Sequence, residues 1–218
     1  MLSVRTPSVP CVLLAAGMTL SCLSSPSFAL SDPTNAELEA LRQAGTNVLV
    51  VEYYDPKTKS LLTKQTITDL ARPKPGVGAS FSFGKQAVAS INLWGVFPCQ
   101  NDRILDEVNF KGRCRDYITH GLERILRSGP VVLCRSFSDQ RGQEAKNASC
   151  FVLTTYSSIY GVQKIEEFLI SGGYALLATD GSGKPLRPDL ADDERLAKGF
   201  GRGLWSFEHE RIRRDQKP

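Results

Sequence analysis

Histidine, methionine and tryptophan occur only twice each among 218 residues, and aromatic residues make up 8% of the chain. No Cys-x-x-Cys pair is present, and His120 and His209 are the only imidazoles, which leaves little from which to build a zinc site of ordinary ligand spacing. There are no internal repeats and no block of like charge. The net charge of +4 is too modest to announce nucleic-acid binding by itself. The longest apolar run, Val9 to Leu20, is too short to span a bilayer. What is present is the composition of a globular protein with a real core, 41% hydrophobic and 23% charged. The length allows one domain, or one plus an extension.

The N-terminus reads as an export signal. Arg5 supplies a positive start, Val9 to Leu20 the apolar stretch, and Ser27-Phe28-Ala29 a small-x-small cleavage site, so residues 1–29 are expected to be removed. A rival reading cleaves before Cys22 and lipidates it. Either way the mature protein lies outside the cytoplasm, periplasmic or secreted, with no transmembrane helix after cleavage. Four cysteines then remain, Cys99, Cys114, Cys134 and Cys150, an even number suited to two disulfides in an oxidising compartment. Of the three pairings, Cys99–Cys114 with Cys134–Cys150 is preferred, because each closes a short local loop.

Along the chain, 31–44 reads as a helix opened by Asp32-Pro33-Thr34 and stopped by Gly45. Strands are expected at 47–54 and 61–70, then a hairpin of 80–83 with 87–95. Residues 113–127 are the clearest helix, with Cys114, Tyr117, Ile118, Gly121, Leu122, Ile125 and Leu126 on one face. A strand pair at 130–137 and 148–155 follows, then a short helix with Val162, Ile165, Phe168 and Leu169 inward, and a last helix near 190–200. This order predicts an α+β arrangement, a small closed barrel with helices packed on it.

Several of these features, in this order, resemble one family. Leu93-Trp94-Gly95-Val96, the helix headed by Cys114, Val131-Val132-Leu133-Cys134, Ser149-Cys150 and Gly203-Leu204-Trp205 are similar to the secreted thermonuclease family, the staphylococcal-nuclease-like domains. The resemblance covers about residues 61–207. It implies a five-stranded OB-type barrel with three helices, an N-terminal extension at 30–60 without counterpart, and a polar tail at 208–218. Active members hydrolyse phosphodiester bonds in DNA and RNA with calcium. A hard cation wants clustered carboxylate oxygens, the attacking water needs a base, and the phosphate needs arginine forks.

Carried over position by position, the resemblance leaves none of that kit. The acidic turn falls on Val77-Gly78-Ala79-Ser80, so Ala79 replaces an aspartate; Asn92 replaces an arginine. Phe97 stands for a metal-binding aspartate, Gln100 for the glutamate base and Gln143 for the second arginine. The nucleotide-stacking tyrosines fall near Thr179 and Gly181. The resemblance therefore implies a non-catalytic binding or interaction module with no metal or cofactor, its partner a nucleic acid or an envelope protein.

Two alternatives stand beside this. One is a calcium-dependent nuclease with a displaced site, drawing on Asp102, Asp106, Glu107, Arg103 and Arg141, against the plainer reading of a solvated loop between Cys99 and Cys114. The other is a structural envelope protein. For nucleic acid, Arg113, Arg115 and Arg141 are the candidate contacts, with Arg124 and Arg127 on the same helix.

Overall fold

Residues 48–54, VLVVEYY, are apolar without alternation until Glu52, the pattern of a strand covered on both faces. In the computed structural model this segment lies inside the main sheet. The structure describes residues 31–45, 47–68, 74–76, 78–82, 90–100, 103–107, 109–137, 144–155 and 161–206, with Glu144–Lys146 described by backbone alone. The expected signal segment and the polar tail lie outside these residues, apart from Ser206. Pro33–Pro218 forms one compact unit.

The elements run α1 (Asn35–Arg42), β1 (Val48–Tyr54), β2 (Leu61–Ile67), β3 (Lys74–Pro75), β4 (Ser80–Ser82), β5 (Ser90–Leu93), β6 (Val96–Phe97), β7 (Ile104–Glu107) and β8 (Phe110–Arg113). They continue with α2 (Tyr117–Leu126), β9 (Val131–Phe137), β10 (Glu144–Thr154), β11 (Gly161–Lys164), α3 (Ile165–Ser171), β12 (Leu176–Leu177) and α4 (Ala191–Gly199). The large sheet has the order β2-β1-β9-β10-β5-β4-β3, with β11 also paired to β10. β1 runs parallel to β9 and β5 parallel to β10; the other neighbours are antiparallel. Two small pairs, β6 with β12 and β7 with β8, complete the strands.

The mixed α+β class is as expected, and two details differ. Among the described residues the sheet is an open path, not a closed five-stranded barrel, and four α-helices are present rather than three. β1 sits between β2 and β9 and pairs with both along its length. The described part of 30–60 thus contributes an inner strand to the sheet. Leu49, Val51 and Tyr53 enter the main core with α2 and α3, while Val48 and Val50 face the opposite side. There Leu38 and Leu41 of α1 close a second apolar cluster with Val131, Leu133, Phe151 and Leu153.

α1 starts where a capping box forms: Thr34 Oγ1 accepts from the Glu37 amide at 3.2 Å, and the Glu37 carboxylate accepts from the Thr34 amide at 2.6 Å. α2 begins later than its apolar stripe predicts, because Cys114–Asp116 form a tighter 3₁₀ turn first. Its buried face is the expected one: Tyr117, Ile118, Gly121, Leu122, Ile125 and Leu126. Val162, expected on a helix, lies in β11. No helix among the described residues is long and apolar enough to cross a membrane.

The cysteines pair as the short-loop argument expects. Cys99 is bonded to Cys114 (Cα–Cα 5.6 Å) and Cys134 to Cys150 (4.1 Å). The second bond joins residues directly opposite in the β9–β10 ladder. The first encloses β7 and β8, so the stretch read as a solvated loop is a hairpin turning at Asn109, which has a φ of 66°.

Candidate functional site

Strand pairing brings part of the expected site together. Ser80 lies opposite Asn92, and the Leu93 amide donates to the Ala79 carbonyl at 2.9 Å. Gly78 has a φ of +68°, and a methyl group placed on it would lie 3.9 Å from Pro98 Cγ. The 78–80 turn and the 97–100 turn are thus neighbours at one end of the sheet. Ala79 is half-buried against the core, Asn92 is partly buried, and Gln100 is exposed. Gln143 and Arg141 lie outside the described residues.

Phe97 is 43% exposed. It sits opposite Leu176 in the β6–β12 ladder. The chain then runs into a hairpin: the Ala178 amide donates to the Gly95 carbonyl, Thr179 bridges Pro185, and the Leu186 amide donates to the Ala178 carbonyl. Phe97 and Leu176 are direct partners in this ladder, and Leu186, further along the hairpin, is 40% exposed. Thr179 and Gly181 occupy the hairpin, where Asp180 Oδ1 accepts from the Ser182 and Lys184 amides. The position implied for calcium is thus an exposed, uncharged ring.

Among the described residues, the substitutes named for a displaced metal site make other contacts. Asp106 pairs with Lys111 at 2.8 Å, and Glu107 accepts from the Ser206 hydroxyl. These two acids are consecutive in β7, so they point to opposite faces. Arg103 donates to the Leu204 carbonyl at 2.7 Å; Asp102 lies outside the described residues. On the basic patch, Arg113 pairs with Asp116 at 3.3 Å and Arg127 with Glu123 at 3.2 Å, while Arg124 donates to the Tyr174 hydroxyl. Arg115 is exposed. Carboxylates therefore neutralise two of the arginines grouped for nucleic acid.

Two charge clusters went unread in the sequence. On β1, Glu52 meets Lys64 at 3.2 Å, Arg135 at 3.1 Å and the Tyr54 hydroxyl at 3.0 Å. Burial pushes this carboxyl upward, but those three hydrogen bonds prevail and hold it below its ordinary value. Only the strand ladders bring these partners together, Glu52 lying opposite both Lys64 and Arg135.

The second cluster lies beneath Trp94 and Gly95. Glu166, in the first turn of α3, is fully buried. Its Oε2 accepts from the Cys150 amide at 3.2 Å, and its Oε1 is 3.6 Å from Arg187 Nη1. Arg187, itself buried, grips Asp189 with two hydrogen bonds of 2.8 and 2.6 Å. Its guanidinium lies 5.4 Å from the Trp94 ring centroid. Its stem fills the space left by Gly95, where a Cβ would come within 2.2 Å of Arg187 Cγ. Burial pushes the Glu166 carboxyl above its ordinary value, Arg187 opposing it. The Arg187 fork holds Asp189 below its own. The Arg187-x-Asp189 spacing is the only local signal of this cluster; nothing near Glu166 marks it.

No protein-family model matches the chain, and no curated protein sequence matches it.

Proposed function

We propose that this chain is an exported, non-catalytic binding or interaction module, built on a thermonuclease-like barrel into which an additional strand, β1, has been wedged. Without β1 the strand order would place β2 beside β9, leaving the chain order and the parallel β5–β10 pair of a partly open OB-type barrel. Two disulfides at buried cysteines are compatible with an oxidising compartment.

The observation that carries the reading is Phe97. An exposed phenyl ring stands where the resemblance requires a metal-binding aspartate, with Leu176 opposite it in the β6–β12 ladder. A phenyl ring offers no oxygen to calcium, and an amide such as Gln100 cannot take a proton from water. An exposed apolar ring serves contact better than hydrolysis.

The test is a nuclease assay on the purified mature protein, with calcium and with chelator, on single- and double-stranded DNA and on RNA. No calcium-dependent cleavage is expected. Turnover that disappears with chelator and survives in a Phe97→Ala variant would overturn the reading in favour of a displaced site.

A further inference from the structure

β2 is the outermost strand at one end of the large sheet, and among the described residues it pairs only with β1. Its seven residues, LLTKQTI, include no proline and no glycine, and Thr63, Thr66 and Ile67 are of types that favour strands. A strand edge of this length presents a row of main-chain donors and acceptors to any extended chain that meets it. Leu61 is 51% exposed, and Lys64 and Thr66 are exposed as well.

Two devices that commonly guard such an edge are a lysine and a bulge. Both are present, and neither guards the middle of β2. Lys64 Nζ lies 3.2 Å from Glu52, its neighbour in the β1–β2 ladder, so its charge is already matched on the face of its own sheet. The irregularity sits at the hairpin end: Tyr54 faces Leu61 and Tyr53 faces Thr63, which leaves Leu62 as the extra residue. Beyond it, residues 63–67 keep unbroken register with 49–53 of β1.

We propose that β2 is a self-association site, where two copies of this chain join edge to edge about a two-fold axis through Gln65. An open ladder is completed by an extended strand, and a two-fold axis across a strand pairs it with itself in antiparallel fashion. The side chains select the register. An axis through Lys64 sets two lysines directly opposite, which repel. An axis through Thr63 runs the pairing across the irregular Leu62. An axis through Gln65 uses the whole regular stretch: Gln65 meets Gln65, Lys64 meets Thr66 and Thr63 meets Ile67. A primary amide both donates and accepts, so the two glutamines satisfy each other. Association through β2 is independent of Phe97, and failure of either reading leaves the other standing.

The experiment is sedimentation velocity of the mature protein over a concentration series, with two variants. The unaltered protein is expected to shift from monomer to dimer as concentration rises. Thr66→Lys changes an exposed side chain and sets a second lysine opposite Lys64 on each side of the axis, so the dimer dissociation constant should rise on the order of tenfold. In Gln65→Cys the two new thiols face each other with Cα atoms about 4.5–5.5 Å apart, within disulfide range, so mild oxidation should give a covalent dimer linked at residue 65 by peptide mapping. A protein that stays monomeric throughout, a dimer that Thr66→Lys leaves unchanged, or a folded Gln65→Cys that does not cross-link would each overturn the proposal. Should Gln65→Cys not fold, the first two measurements still decide it.

Discussion

The two ends of the segment from Trp94 to Gln100 are opposites. At Phe97 and Gln100 the chain is exposed and carries no charge, although the resemblance expects an acid at each position. At Trp94 and Gly95, a few residues earlier, it covers a fully buried glutamate and a buried arginine whose presence nothing local announces. Charge is missing where solvent and a ligand could reach it and present where neither can. Exposed charges contribute little to stability and much to recognition. Buried ones are costly to leave unmatched and so constrain where the chain can sit. The difference teaches that near this segment the buried charges tie pieces of chain together: Glu166 joins α3 to β10, and Arg187 joins α3 to the turn at Asp189.

The sharpest way to break that contrast is Arg187→Met. It strands the Glu166 carboxylate in the core and removes the fork from Asp189, a loss of about 3–5 kcal/mol at neutral pH by urea denaturation. The loss should shrink at acid pH, where Glu166 is neutral. Gly95→Ala attacks the same cluster through shape. The new Cβ would fall 2.2 Å from Arg187 Cγ on a residue whose φ is +76°, so a cost of roughly 2–3 kcal/mol is expected from the same measurement.

A subtler comparison is pH dependence. Glu166 has a folded-state pKa raised above its unfolded value, so its favourable contribution is complete below about 4.5 and is lost as pH rises through the folded value. Each unit of that upward shift corresponds to about 1.4 kcal/mol, and the decline should be absent from Glu166→Gln in parallel urea titrations. The smallest effect belongs to the other end of the segment. Phe97→Ala should change stability by no more than about 0.5–1 kcal/mol, since the ring already faces water. A larger loss would show that Phe97 is a packing residue and not a contact surface.

Much of the scaffold was legible because local chemistry determines it. The α2 stripe, the Thr34 start of α1 and the short-loop cysteine pairs each depend on residues close in sequence. The strand at 48–54 is legible, and its lack of alternation suits the middle of a sheet, but its neighbours β2 and β9 are fixed only by long-range pairing. The β7–β8 hairpin was missed because its short strands carry exposed Ile104, Asp106, Lys111 and Arg113 among few buried residues, which reads as solvated loop. Of the candidate site, the resemblance singles out residues in both the 78–80 and 97–100 turns, and the structure sets Gly78 near Pro98. The Glu166–Arg187 cluster was not legible, because the sequence separates residues that only the packing of α3 and the 178–190 segment brings within reach.

The central position of β1 also sets an order of events as the chain is made. β1 emerges early, and its antiparallel neighbour β2 follows at once, but its other neighbour pairs Glu52 with Arg135, 83 residues further on. A parallel pairing of that span is slow to form, because the intervening chain must be gathered before the contact stabilises anything. Until β9 arrives, an apolar strand edge stands open. A chain built this way completes its sheet only once β9 has been made, so the last contacts to form are the ones that hold its middle.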